Sequence, residues 1–293
     1  MAVGYVNYLY HLFSLLRPKQ WIKNLFVFAP IIFSGHFFLL VELSKVSLAF
    51  GLFCLLSSAC YALNDALDVE RDKIHPIKKN RPVASGQISR KTAFSITGVL
   101  VLVVLLAGFR FDQRLALLML AYFLLNIAYS LWLKHLMIVD LISIGVSFLL
   151  RAYAGGVIIN LQLTSWIVVT LFMLALFLGA GKRKGDFTTA QRQEMKGKSF
   201  LTTQYPLQFL ESLIFFSLIL VNVAYLLYTI SRPRPFLFSY IFVFYGTLRY
   251  LYLLQNSVTY SDPTDIVLKD HTLVFVIVTW VAYMMAATYL RSS

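Results

Sequence analysis

Charged residues are scarce in this chain. Asp, Glu, Lys and Arg together make up 13% of its 293 residues, whereas hydrophobic residues make up 59%. Because soluble globular domains carry about 25% charged residues, this composition excludes an ordinary soluble fold. The mean hydropathy of +0.74 points the same way. The sequence therefore predicts an integral membrane protein.

Cysteine and histidine are also rare, which excludes two further kinds of site. The two cysteines, Cys54 and Cys60, lie in one apolar run and are six residues apart, so they face different sides of a helix and form no CxxC motif. The five histidines are scattered without an HxxxH or HExxH pair, which argues against zinc chemistry. No Gly-, Ser- or Pro-rich linker divides the chain, so we expect a single domain over residues 1–293.

Apolar stretches are abundant. Crossing about 30 Å of hydrocarbon as a helix takes roughly 20 apolar residues, and the sequence offers nine such spans. They lie near residues 20–39, 43–63, 92–109, 114–132, 138–158, 163–180, 209–230, 236–255 and 271–290. The predicted fold class is an all-α integral membrane protein with nine transmembrane helices. Basic residues follow a weakly apolar start, so no cleaved signal peptide is expected.

Acidic residues are half as numerous as basic ones, and the net charge is +13. With nine spans and a cytoplasmic N-terminus, most Lys and Arg fall in cytoplasmic segments, as the positive-inside rule requires. Topology and anionic lipid headgroups account for this excess. The charge therefore does not predict nucleic-acid binding.

Four of the 13 acidic residues fall within nine positions, in the run Asn64-Asp65-Ala66-Leu67-Asp68-Val69-Glu70-Arg71-Asp72. On a helix, Asn64, Asp68 and Asp72 line one face, with Asp65 beside them. Stacked carboxylates repel one another, and Mg²⁺ removes this repulsion when it joins carboxylates to phosphate oxygens. The run predicts a Mg²⁺–diphosphate site at the start of a cytoplasmic loop, 64–91. A second cytoplasmic loop, 181–208, opens with Lys182-Arg183-Lys184 and offers cations on the same side.

Other polar groups lie where a bilayer disfavours them. Arg151 is inside the fifth span, Asp140 is at that span's cytoplasmic end, and Lys134 comes just before it. A charge at mid-bilayer costs roughly 2.5–3.5 kcal/mol on insertion scales. Two alternatives stay open: these groups face a polar cavity, or Asp140 pairs with Lys134 while Arg151 caps carbonyl groups.

The N-terminal basic run enters the first span. Lys19 and Lys23 are four residues apart and share a helix face; they either anchor the span or, with Asn24, face a cavity. Lys23 and Asn24 lie deeper than an anchor needs, which favours the cavity. Tyr129 alone is more typical of an interfacial aromatic residue than of a ligand.

The acidic run resembles the NDxxDxxxD motif of the UbiA superfamily of intramembrane prenyltransferases. Further segments narrow the resemblance to the decaprenyl-phosphate phosphoribosyltransferase branch and together cover nearly the whole chain. They are the stretches 17–24, 75–82, 129–135 with Asp140, 150–156, 176–183, 249–250 and 263–270. The resemblance implies a nine-helix bundle with a cytoplasm-facing active-site cavity in a bacterial plasma membrane.

One departure from the wider superfamily fits that branch. Ordinary members carry a second acidic motif, DxxxD, after the sixth span, whereas here Asp186 is the only acid near three basic residues. Cations in place of acids suggest direct contact with phosphate. The implied reaction is Mg²⁺-dependent transfer of 5-phosphoribose from phosphoribosyl pyrophosphate to a decaprenyl-type polyprenyl phosphate. Pyrophosphate leaves and C1 is inverted, and the product serves cell-envelope biosynthesis.

The resemblance and the pattern together assign roles to named residues. The expected Mg²⁺ ligands are Asn64, Asp65, Asp68 and Asp72. The expected catalytic residues are Asp68, Asp72 and Lys23. The expected substrate-binding residues are Lys19, Lys23, Asn24, Lys78, Arg81, Tyr129, Lys134, Asp140, Arg151, Lys182 and Arg183.

Two other functions compete with this prediction. One is conventional prenyl transfer from a prenyl diphosphate to an aromatic acceptor, which calls for the missing second acidic motif. The other is transport, with Asp140 and Arg151 as pathway charges, although the sequence shows no inverted repeat. The oligomeric state, a homo-oligomer included, is left open.

Overall fold

A computed structural model describes residues 2–75, 77–192, 205–256 and 262–289. The described chain is helical throughout, apart from its turns. Its α-helices are α1 Ala2–Leu16, α2 Ala29–Ser34, α3 Leu40–Leu67, α4 Val69–Lys73, α5 Arg90–Phe111, α6 Gln113–Leu131, α7 Val139–Ile158, α8 Ser165–Arg192, α9 Leu207–Ile230, α10 Pro235–Asn256, α11 Pro263–Lys269 and α12 His271–Tyr289. Four 3₁₀ segments join them: Pro18–Phe28, His36–Phe38, Lys78–Asn80 and Leu133–His135.

Eight of the described helices are long and apolar enough to cross a membrane, namely α3, α5, α6, α7, α8, α9, α10 and α12. Their outer faces carry exposed apolar side chains, as on α5, where Val99, Leu102 and Leu106 are each about 60% exposed. Such a surface suits lipid rather than water. The predicted all-helical membrane fold is confirmed.

The first predicted span, 20–39, differs from a regular transmembrane helix. It consists of the 3₁₀ segment Pro18–Phe28, the short helix α2, a turn at Gly35 with φ 82°, and a second 3₁₀ turn. Proline explains part of the break, since Pro30 has no N–H to donate and its ring crowds the carbonyl four residues earlier. The irregular backbone is tolerated because much of it is buried in protein: Val27 and Ile31 have no exposed surface.

A glycine on α7 lets this segment approach closely. A Cβ placed on Gly155 would lie 1.8 Å from the backbone oxygen of Val27, which is far inside van der Waals contact. Only glycine therefore allows the 3₁₀ segment and α7 to pack at this distance. The contact fixes the position of the residues that precede Val27, including Lys23 and Asn24.

The predicted acidic helix face spans a break between two helices. α3 ends at Leu67, Asp68 has φ −90° and ψ 9°, and α4 begins at Val69. The winding nevertheless continues, because the N–H of Asp68 donates to the carbonyl of Asn64 at 2.9 Å and that of Asp72 to the carbonyl of Asp68 at 2.8 Å. Asn64, Asp68 and Asp72, four residues apart, therefore still lie along one face across the break.

Candidate active site

Two carboxylates of the acidic run share one arginine. Asp65 is 1% exposed and pairs with Arg17 and with Nη1 of Arg81, the latter at 3.2 Å. The same Arg81 nitrogen lies 2.6 Å from Oδ2 of Asp72, which is also buried. A single cationic atom thus bridges Asp65 and Asp72, so the two carboxylates lie close together.

Asp68 has a different partner. The Nζ of Lys134 lies 2.8 and 2.9 Å from its two carboxylate oxygens. Lys134 is buried and comes from the 3₁₀ turn between α6 and α7. Of the pairs considered from the sequence, Asp140 with Lys134 is therefore wrong, because Lys134 is committed to Asp68.

The donor chemistry of the acidic run suits Mg²⁺, which prefers oxygen ligands. Oδ2 of Asp65 is buried with no hydrogen-bond partner among the described residues, and Arg81 shows that Asp65 and Asp72 can share one cation. Among the described residues, however, no three His, Cys, Asp or Glu side chains are grouped closely enough to hold a metal. The assignment of Asn64, Asp65, Asp68 and Asp72 as ligands therefore stays a prediction.

Arg17 also belongs to this site, although the sequence analysis did not predict it as a site residue. It joins α1 to the 3₁₀ segment with φ 50° and ψ 60°, in the left-handed region that non-glycine residues seldom adopt. The following Pro18 disfavours the right-handed helical region for Arg17. The resulting turn brings its guanidinium to Asp65 and over the ring of Tyr61, at 5.1 Å from the centroid. The position of Arg17 in a basic run, directly before a proline, is the sequence feature that could have indicated this role.

Asp140 is fully buried and ties two parts of the second polar loop together. Nε of Arg183, at the end of the apolar part of α8, donates to it at 3.0 Å. The hydroxyl of Tyr205, which precedes α9, also donates to it. Arg183 further donates to the Tyr129 hydroxyl at 2.8 Å. Three predicted substrate-binding residues are thus bound to one another, and Tyr205 is an addition that the sequence did not reveal.

Tyr205 also supports a strained backbone. Its hydroxyl accepts the N–H of Ile138 at 2.7 Å, and Ile138 has φ 71°, an outlier for a β-branched residue. The loop predicted over 181–208 is described up to residue 192 and again from 205, so the remainder of that prediction lies outside the described residues.

Arg151 and Asn24 form a buried polar network that includes no carboxylate from the described residues. Nε of Arg151 donates to Oδ1 of Asn24 at 2.7 Å, and Asn24 in turn donates to Ser57 at 3.1 Å. The remaining Arg151 nitrogens donate to the Ser147 carbonyl at 2.8 Å and to the Tyr122 hydroxyl at 2.6 Å. Neutral oxygens surround Arg151, which is 4% exposed, and its described carbonyl partner, Ser147, belongs to its own helix. Its substrate-binding role stays a prediction.

Charges from both polar loops act on Lys78. Burial and the nearby charge of Arg81 lower the pKa of Lys78, and Asp72, Asp186 and Lys182 also act on it. Lys78, in the first polar loop, is thus within electrostatic reach of Asp186 and Lys182 in the second. That the two loops serve one site stays a prediction.

Asp262, just before α11, has two polar partners from other elements. Nζ of Lys182 lies 3.7 Å from its carboxylate, and Nε2 of Gln20 donates to it at 3.5 Å. Lys184, by contrast, pairs with Glu211 on α9 at 2.8 Å. Lys19 is exposed at the start of the 3₁₀ segment. The basic residues at this end thus belong to separate groups with different partners.

Comparison with known proteins agrees with this architecture. A model of the UbiA prenyltransferase family matches residues 25–264. The decaprenyl-phosphate phosphoribosyltransferase of Mycolicibacterium smegmatis is 32% identical over 295 residues, covering 95% of this chain and 92% of that protein. The enzyme of the same name from Mycobacterium tuberculosis is 32% identical over 280 residues, covering 93% and 92%.

A solved structure shares the fold. The UbiA homolog from Archaeoglobus fulgidus bound to DMAPP and Mg²⁺ superimposes with a TM-score of 0.71 at 17% sequence identity, covering 95% of this chain and 99% of that one. At this identity the likeness speaks for the fold. Together with the family match and the curated relatives, it shows that this multi-pass membrane transferase belongs to the UbiA prenyltransferase family.

Proposed function

We propose that the protein transfers 5-phosphoribose from phosphoribosyl pyrophosphate to a decaprenyl-type polyprenyl phosphate and releases pyrophosphate. The relatives at 32% identity carry the corresponding name. The observation that carries the proposal is the pairing of an acidic run with a basic cluster at the same end of the bundle. A donor with a pyrophosphate on C1 and a phosphate on C5 matches such a pair of sites.

The charge balance separates the roles of the two sites. The three aspartates of the acidic run pair with three basic side chains, Arg17, Arg81 and Lys134, so these six residues carry no net charge. Lys23, Lys78 and Lys182 lie beside it with fewer acids among them. An incoming pyrophosphate would give the arginines new partners that suit their fork geometry.

Mg²⁺, held by Asn64, Asp65, Asp68 and Asp72, would offset charge on the departing pyrophosphate. Arg17 and Arg81 already lie at those carboxylates, where they can orient the same group. Lys134 holds Asp68 in place. As the bond from C1 to pyrophosphate breaks, C1 gains oxocarbenium character, by analogy with glycosyl transfer.

The acceptor needs little activation by the protein. A phosphate monoester with a second pKa of about 6 is already an anion near neutral pH, so its oxygen can attack C1 directly. Attack from the face opposite the departing pyrophosphate inverts the anomeric centre. No general base is required.

The same proposal orients the protein. The positive-inside rule favours the basic end of the bundle on the cytoplasmic side. We therefore propose a bacterial plasma membrane location, with the acidic run and the basic cluster facing the cytoplasm. A water-soluble, highly charged donor would reach the site from there, while the polyprenyl tail stays in the bilayer.

The test is an assay of the full chain in detergent with Mg²⁺, labelled phosphoribosyl pyrophosphate and a polyprenyl phosphate, followed by extraction into organic solvent. Label in the lipid phase that disappears on chelation with EDTA is the expected result. Turnover of a prenyl diphosphate with an aromatic acceptor, without lipid-phase label, would instead identify a conventional prenyltransferase. No turnover of either kind would contradict both and point to transport.

A further inference from the structure

Asp262 organises a small polar group that is distinct from the acidic run. It begins α11, where its side chain accepts the N–H of Thr264 at 2.9 Å. Burial raises its pKa, but the opposing charges of Lys182 and Lys23 hold the pKa of Asp262 well below its usual range. The carboxylate therefore stays ionised, with Nζ of Lys182 3.7 Å away and Lys23 within electrostatic reach.

Two buried polar atoms beside this group have no partner. Oε1 of Gln20 and the hydroxyl of Tyr250 are enclosed yet make no hydrogen bond to any described residue. Leaving a buried polar group unsatisfied is energetically costly, so each such atom calls for an explanation. Tyr250 is 3% exposed, and its ring packs edge-on against Phe177.

The Tyr250 hydroxyl lies next to the basic end of α8. A Cβ placed on Gly181 would be 3.1 Å from this oxygen, and Gly181 directly precedes Lys182. The hydroxyl is also within electrostatic reach of Asp262. A free donor, two lysines and one carboxylate thus come from four different elements.

The chemistry of this group suits a phosphate monoester. The Lys182 ammonium group and the Tyr250 hydroxyl can both donate to a phosphate oxygen. Lys182 is reachable, since its side chain is 39% exposed. We propose that Lys23, Lys182 and Tyr250, organised by Asp262, form a phosphomonoester subsite separate from the acidic run.

The identity of the ligand rests on the proposed function, which offers two phosphate monoesters. One is the C5 phosphate of the ribosyl donor, and the other is the headgroup phosphate of the lipid acceptor. The subsite itself rests only on the geometry. A binding experiment without turnover therefore separates a failure of the subsite from a failure of the proposed reaction.

The experiment is calorimetric titration of the full chain in detergent, in EDTA, with ribose 5-phosphate and separately with a short-chain polyprenyl phosphate. Tyr250→Phe should weaken ligand binding roughly tenfold to a hundredfold, as expected for one lost hydrogen bond to a charged group. Lys182→Met should weaken it roughly tenfold or more. Lys45→Met is the matched control, because Lys45 is an exposed lysine near the opposite end of α3.

The two titrations distinguish the sources. Weaker binding of ribose 5-phosphate in both variants assigns the subsite to the donor, and weaker binding of the polyprenyl phosphate assigns it to the acceptor. Unchanged affinity for both ligands in both variants, or no binding of either ligand to the unmodified protein, would overturn the subsite. Thermal unfolding checks the fold: Tyr250→Phe should melt like the parent, because its hydroxyl has no partner to lose.

Discussion

Replacing Gly155 by alanine should separate the 3₁₀ segment from α7 and so disturb the site. The new Cβ would lie 1.8 Å from the carbonyl oxygen of Val27. The two backbones would have to move apart by roughly 1.5 Å to reach ordinary van der Waals contact. Both are main-chain groups, so no side-chain rotation relieves the clash.

The size of the effect follows from what that movement disrupts. Overpacking of a tight contact costs about 1–3 kcal/mol. Asn24 precedes Val27 by three residues in the same segment, so its 2.7 Å hydrogen bond from Arg151 would also stretch beyond useful length. Loss of a hydrogen bond to a charged group adds roughly 1.5–3 kcal/mol. We expect the free energy of unfolding to fall by roughly 3–5 kcal/mol in total.

Thermal unfolding in detergent, followed by the lipid-phase transfer assay, measures both consequences. The midpoint should fall by about 10 °C, and transfer should fall with it because the segment carries Lys23. Gly98→Ala on α5 is the matched control, since a Cβ there meets no atom within 4 Å. Equal unfolding midpoints and equal activities for Gly155→Ala and Gly98→Ala would refute the argument.

Three other predictions follow from the ion pairs. Asp68→Asn should nearly abolish transfer without unfolding the protein, whereas Glu70→Gln, at an exposed position on the adjoining α4, should leave the rate unchanged; equal rates would end the metal-site hypothesis. Asp140→Asn should lower the free energy of unfolding by roughly 3 kcal/mol, because it leaves Arg183 buried without its main counter-charge; an unchanged melting curve would contradict this. Mg²⁺ bound at Asp65 and Asp72 would displace Arg81 from these carboxylates, and pyrophosphate would give Arg81 a new partner. Mg²⁺ should therefore bind more tightly in the presence of pyrophosphate than alone. Equal Mg²⁺ affinities by titration would argue against this exchange of partners.

Much of the candidate site was predictable because its elements are local. The spacing of Asn64, Asp68 and Asp72 places them on one helical face, and the backbone hydrogen bonds preserve that face across the break at Asp68. Apolar length alone identified the eight long helices. The prediction that the two polar loops lie on one side of the membrane came from counting spans, because an even number of crossings lies between them.

The pairing of charges was not predictable in the same way. Lys134 is closer in sequence to Asp140 than to Asp68, yet it binds Asp68 at 2.8 Å. Helix packing brings residues 66 positions apart into contact, and no local pattern encodes that choice. The irregular backbone of the first predicted span was not predicted for a related reason. Hydropathy measures the length of an apolar run but not whether its backbone forms one continuous helix.

The pairings alter how the predicted phosphate ligands should be understood. The sequence placed Arg81, Lys134 and Arg183 in one class of substrate-binding cations, but each already contacts a carboxylate in the bundle. A buried cation with a buried counter-charge gains less from a new anion than one with surplus charge around it. We therefore expect Lys78 and Lys182, which have fewer acids around them, to attract an anionic donor first. The paired cations can contribute only after a second cation takes their place at the acidic run, and this links donor binding to metal binding.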